Sequence, residues 1–141
     1  MSVSLREIMA RYPEAQTFKF GDNRKLCDEL LELVRKGQKT ATCDALRNYP
    51  EGSPDAPVVG RRDIALDWDD RPALVIETVE VSTCRYCDVT EDFALAEGEN
   101  TTLEGWRKDH RRYFERNGGF DPEMELICER FRLVEDLAVE G

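Results

Sequence analysis

Two runs of alternating polarity, Asp63-Ile-Ala-Leu-Asp-Trp68 and Ala73 to Ser82, are separated only by Asp69-Asp-Arg-Pro72. Alternation at period two marks a half-buried strand, and the intervening residues are turn formers. The pair therefore predicts an antiparallel hairpin in the middle of the chain, whose apolar face must be covered by elements drawn from either side of it.

Those elements are legible. Ser4-Leu-Arg-Glu7 fits a capping box before a short helix that Pro13 ends. Thr17-Phe-Lys-Phe20 reads as a brief strand, and Gly21-Asp22 as a turn with Asp22 as helix N-cap. From Asn23 to Lys36, Leu26, Leu30, Leu31, Leu33 and Val34 recur at helical spacing, with Gly37 where a terminating glycine belongs. Gly37-Gln-Lys-Thr-Ala-Thr42 then turns into a strand through Cys43. Residues 48–60 hold three prolines and two glycines and read as a long irregular loop. Thr90 caps a short helix through Leu95, and Glu97-Gly-Glu-Asn100 is a polar loop. Thr101-Thr-Leu-Glu104 forms a second capping box, opening a helix to about Asn117 with Leu103, Trp106, His110, Tyr113 and Phe114 on one broad face. Leu126 to Val134 closes the chain as a strand. Five or six strands, mostly antiparallel, with interspersed helices predict an α+β fold: a small barrel flanked by helices, one domain over residues 1–141.

Composition narrows the function. Of the 141 residues, 40% are hydrophobic and 35% charged, which suits a globular chain and no other class. No apolar run approaches the ~20 residues that span a bilayer, and the N-terminus lacks a signal peptide's features, so the expectation is a cytoplasmic protein without a membrane partner. A net charge of −10 disfavours diffuse contact with long nucleic acid, while leaving room for a small nucleoside or a locally held RNA. Five cysteines, an odd number, argue against a disulfide framework. Cys84-Arg-Tyr-Cys87 has a zinc-like spacing but no second pair of ligands at matching spacing, and reads as ordinary partly buried thiols. His110, the sole histidine, reads as a packing residue or a cleft residue. Around it Arg107, Lys108, Arg111, Arg112 and Arg116 make its helix the one distinctly basic element. Gly37-Gln-Lys-Thr-Ala-Thr42 lacks the glycine spacing of a P-loop but sets a lysine beside two hydroxyls at a helix-to-strand junction, where a lysine can activate a hydroxyl. Residues 39 and 42 of a regular strand would face opposite sides, so Lys39 must lie before the strand or at a bulge.

Five segments, in order, resemble the ASCH domain family of the PUA-like superfamily, and more closely its longer bacterial branch. They are Phe18-Lys-Phe-Gly-Asp22; Gly37-Gln-Lys-Thr-Ala-Thr42; Ala96-Glu-Gly-Glu99 with Leu103 and Trp106-Arg-Lys-Asp-His110; Phe114; and Ile127-Cys-Glu-Arg-Phe-Arg132. The resemblance covers residues 18 to 135. It implies a six-stranded, mostly antiparallel β-barrel with surrounding helices, and a cleft lined by the Gly-x-Lys-Thr segment. Small bacterial members of the superfamily are amidohydrolases of 4-acetylcytidine. Carried over by motif, Lys39, Thr42 and Glu99 match the family's lysine, threonine nucleophile and glutamate. The chain is longer than those enzymes and has Cys43-Asp-Ala-Leu46 where they have a basic-acidic pair.

The resemblance thus implies a hydrolase of an acylated cytidine: Thr42 attacks the acetyl carbonyl, Lys39 takes its proton, and Glu99 orients or protonates the leaving amine. Thr40, Arg107, His110 and Arg132 are the candidate pocket residues, and no metal or cofactor is required. Two alternatives stand beside it. One is a non-catalytic RNA-binding module that stacks a modified or unpaired base on Trp68 or Trp106. The other is a ribonuclease using Lys39 and nearby acids on the 2′-hydroxyl.

Overall fold

The computed structural model describes residues 4–137. Every α-helix among the described residues starts on a side-chain cap. Ser4 accepts from the Glu7 N–H at 3.1 Å and opens α1 (Leu5–Arg11). Asn23 accepts from the Leu26 N–H at 2.9 Å and opens α2 (Arg24–Arg35). Thr90 opens α3 (Glu91–Ala96), and Thr102 opens α4 (Leu103–Arg116) by accepting from the Gly105 N–H at 3.0 Å. Two caps sit one residue beyond the expected place, at Asn23 rather than Asp22 and at Thr102 rather than Thr101. In each case adjacent residues both carry a capping oxygen, so local chemistry alone does not choose. Asp22 is used elsewhere: its carboxylate accepts from Arg116 Nε at 2.6 Å and Asn117 Nδ2 at 2.8 Å, tying the entrance of α2 to the exit of α4.

At the end of α2, Gly37 takes φ +76°, the Gly37 N–H bonds the Val34 carbonyl at 3.0 Å, and the Gln38 N–H bonds the Leu33 carbonyl at 2.9 Å. This is a Schellman ending, which only a left-handed residue completes. It releases the chain into β2 (Ala41–Ala45), with Lys39 ahead of the strand.

The other strands are β1 (Thr17–Phe18), β3 (Arg62–Leu66), β4 (Pro72–Arg85) and β5 (Glu125–Asp136). They form one sheet in the order β1-β3-β4-β5-β2. The expected hairpin is β3–β4, with Asp70 at φ +64° in its turn. All neighbours are antiparallel except β1 and β3.

The expected six-stranded barrel is corrected here. The described residues form five strands, and the sheet stays open. Closure would require β1 to meet β2. β1 is two residues long and bonds only β3, and both edge strands instead border a cleft.

Three apolar clusters hold the layers. Ile8 of α1 packs with Ile64, Leu66 and Val75 on one face of the sheet. Leu30, Leu31 and Val34 of α2 pack with Leu74, Ile76 and Phe131 on the other. Val75 therefore faces α1 while its neighbours face α2, which is why Ala73 to Ile76 is apolar throughout rather than alternating. At the far end Phe93, Ala94, Trp106 and Phe114 of α3 and α4 cover Ala41, Ala45, Leu126 and Cys128 of β2 and β5. No helix among the described residues is long and apolar enough to cross a membrane.

Candidate functional site

The cleft between the two sheet edges has a volume of about 1120 Å³. β1 and the following turn form one wall through Phe18, Lys19 and Phe20. β2 forms the facing wall through Thr42, Cys43 and Asp44, and α4 contributes Asp109, His110 and Tyr113.

Lys39 anchors its floor. Although charged, it is only 2% exposed. Its ammonium donates to the Ala41 carbonyl at 2.9 Å and to the Glu97 carbonyl and Glu97 Oε1, both at 3.4 Å. The Phe20 ring lies 5.6 Å from the same nitrogen. A buried ammonium is tolerated only when its three donors are met, and these are.

Glu97 is its equally buried counterpart, at 2% exposure. Oε2 accepts from Trp106 Nε1 at 2.7 Å and from the Cys43 thiol at 3.3 Å, and His110 Nε2 lies 3.4 Å away. Burial favours the neutral acid, but the charges of His110 and Lys39, with hydrogen bonds from His110 and Trp106, carry Glu97 down to about 2. Burial likewise opposes the imidazolium of His110. The charge and hydrogen bond of Glu97, with Glu99 further out, outweigh it and raise the histidine above its ordinary value. Cys43 stays a neutral thiol, pushed well up by burial and by the Glu97 charge.

The backbone explains how Glu97 arrives there. It caps the C-terminus of α3, and Gly98 follows at φ +84°. A Cβ at Gly98 would stand 2.5 Å from the Gln38 carbonyl oxygen, so only glycine lets this turn lie against the Lys39 segment. The Thr40 N–H bonds the Ala96 carbonyl at 2.8 Å across the same seam. The exposed C-terminal carbonyls of α3 thus meet a cation and an N–H.

Of the residues the sequence singled out, Lys39, Thr42, Glu99 and His110 all line this cleft. Lys39 precedes β2, as the strand geometry required. Thr42 stands directly across from Glu129 of β5, which also lines the cleft and accepts from the Thr78 hydroxyl at 2.5 Å. Glu99 is exposed, and desolvation by nearby protein raises its carboxyl. Thr40, Arg107 and Arg132 lie outside. Thr40 is exposed on the α3 seam, Arg107 points outward from α4, and Arg132 pairs with Glu77 at 3.1 Å.

Sequence reasoning missed Glu97, reading Glu97 to Asn100 as a polar loop, although the glycine after it signals a chain reversal. It also missed Cys43. Trp106, offered as a stacking platform, is fully buried, and Trp68 already carries Lys19 at 4.9 Å from its ring. Cys84 is half-buried and Cys87 exposed; Cys84 Sγ lies 3.8 Å from the Cys128 sulfur.

The profile of the ASCH domain family matches residues 16–135. The chain belongs to the ASCH domain family. Two solved structures are similar to it over nearly its whole length. One is an ASCH domain from Lactobacillus crispatus JV V101, 31% identical with a TM-score of 0.78, covering 93% of this chain and 86% of that one. The other is protein EF3133 from Enterococcus faecalis V583, also 31% identical, with a TM-score of 0.81 and coverage of 94% and 86%. A hypothetical protein, PH0355, shares the fold at 13% identity with a TM-score of 0.57, over 84% of this chain and all of its own. No curated protein matches the chain.

Proposed function

We propose that this ASCH domain is a hydrolase that removes the acyl group from the exocyclic amine of an uncharged nucleoside of the acylcytidine kind. The observation that supports this reading is that Lys39, Thr42, Glu99 and His110 all line one cleft wide enough for a nucleoside.

In this reading Thr42 Oγ1 attacks the acyl carbon. Glu99 takes the hydroxyl proton and returns it to the departing amine, and water then hydrolyses the acyl-threonine. The family resemblance implies the role of base for Lys39. Its three N–H groups are engaged by Ala41 and Glu97, and among the described residues the Thr42 hydroxyl is not one of its partners. We therefore assign it the part of a fixed cation whose field favours the oxyanion of the tetrahedral intermediate.

Charge supports a nucleoside over an RNA chain. Ten carboxyl-bearing side chains and five lysines and arginines line the cleft. Of the five, Lys39 is held by Glu97, Arg116 by Asp22 and Lys19 by Asp70. A polyanion entering this field is repelled, whereas a neutral nucleoside is not.

The test is acetate release from 4-acetylcytidine. Wild-type protein should release it, and Thr42→Ala should lose at least about a thousandfold in kcat/KM with an unchanged melting temperature. Absence of turnover by wild-type protein would remove the substrate assignment. Full turnover by Thr42→Ala would remove the nucleophile.

A further inference from the structure

We propose that Cys43, Glu97 and His110 form a binding site for one divalent cation of the zinc class, with its fourth coordination position open to the cleft. The site is independent of the hydrolase reading, which needs no metal.

The three residues come from three elements, β2, the end of α3 and α4, and their ligand atoms all lie within 4.8 Å of one another. The two separations that involve Glu97 fit a metal. With Zn–S, Zn–N and Zn–O bonds of ordinary length at tetrahedral angles, a sulfur and an oxygen ligand stand about 3.5 Å apart, and a nitrogen and an oxygen about 3.3 Å. Cys43 Sγ is 3.3 Å and His110 Nε2 is 3.4 Å from Glu97 Oε2. Thiol, imidazole and carboxylate together suit zinc or cobalt rather than magnesium or calcium, which prefer all-oxygen shells.

The surroundings are those of a ligand set held in place. A carbonyl can only accept, so the contact of His110 Nδ1 with the Trp106 carbonyl at 3.0 Å puts a proton on Nδ1 and turns Nε2 toward Glu97. The His110 ring is stacked on the Trp106 indole with centroids 4.1 Å apart, which fixes its plane. Glu97 is oriented by the Trp106 N–H on one oxygen and the Lys39 ammonium on the other. All three ligands also line the cleft, which is the side from which a fourth ligand would come.

The cation takes the Cys43 sulfur as thiolate, so the thiol proton leaves as the metal enters. Lys39, Glu99 and Asp109 are the charged neighbours, with the Cys128 thiol across the strand pair. Two carboxylates against one lysine do not repel a cation.

The experiment uses the full chain, stripped with a chelator and loaded with Co²⁺ and then Zn²⁺. The expected result is one cobalt per chain with a near-ultraviolet thiolate-to-cobalt band, displaced by stoichiometric zinc. Cys43→Ser should lose that band while remaining folded, and His110→Gln should weaken zinc binding by about tenfold or more. Cys84→Ser and Cys87→Ser should keep both band and stoichiometry. Cobalt bound without a thiolate band, a band that survives Cys43→Ser, or one that vanishes in Cys84→Ser or Cys87→Ser would each overturn the proposal. So would zinc retention below a tenth of a mole per mole of wild-type chain.

Discussion

The Lys39–Glu97 pair is costly to disturb from one side only. Two charges this deeply buried stabilise little relative to an apolar pair of the same shape, but removing one leaves the other stranded. Lys39→Met should therefore lower stability by about 3 kcal/mol or more, read as the urea midpoint. The double variant Lys39→Met/Glu97→Gln should recover much of that loss, giving a large coupling energy in the four-member cycle. A double variant whose loss equals the sum of the two single losses would show the pair to be uncoupled. The same burial limits what Lys39→Met can say about catalysis, which is why Thr42→Ala is the sharper probe. Lys39 and Thr42 were singled out by the resemblance of Gly37 to Thr42 to the family motif, and both line the cleft. Glu97 was not, because two glutamates stand two residues apart in Ala96-Glu-Gly-Glu99 and spacing does not tell which turns inward. The left-handed Gly98 decides it, through a close approach to Gln38 that no local pattern reveals.

At the level of elements, the helices and the hairpin could be read almost to the residue, since caps, apolar period and turn chemistry are local. The shifted caps are an instructive departure: freed from capping, Asp22 became a clamp between α2 and α4. The hydrogen bond from Arg116, with help from Asn117 and Asn23, outweighs partial burial and holds the Asp22 carboxyl down at about 2. Its unfolded value is near 3.8. A carboxyl depressed on folding stabilises fully above the unfolded value and loses that contribution as the pH falls toward the folded one. Thermal midpoints of the wild type should accordingly fall between about pH 4 and pH 2 more steeply than those of Asp22→Asn, which should start lower at neutral pH. Parallel curves for the two proteins would show that the clamp adds no acid sensitivity.

For the molecule as a whole, the barrel expected from sequence failed on closure, which depends on whether two strands distant in sequence meet. Neither β1 nor β2 carries a local sign of what lies beyond its free edge. That open seam makes the cleft, and under the proposed function its acidic lining should disfavour anionic substrates. Phosphorylating the nucleoside should hurt: 4-acetylcytidine 5′-monophosphate should be turned over with a kcat/KM at least several-fold below the free nucleoside, the gap narrowing as salt rises. A faster reaction with the nucleotide would reverse the charge argument. The strand order has one more consequence, for the order in which the site can come into being. β2 joins the sheet only through β5, the last strand described, which lies between it and β4. On a ribosome, Lys39, Thr42 and Glu97 emerge long before residue 125 does. Until then β2 has no strand to dock on, and the wall that holds Thr42 and Cys43 opposite α4 has no fixed position. The cleft is thus a late product of folding, assembled when β5 slots into the middle of a sheet whose outer members have been waiting for it.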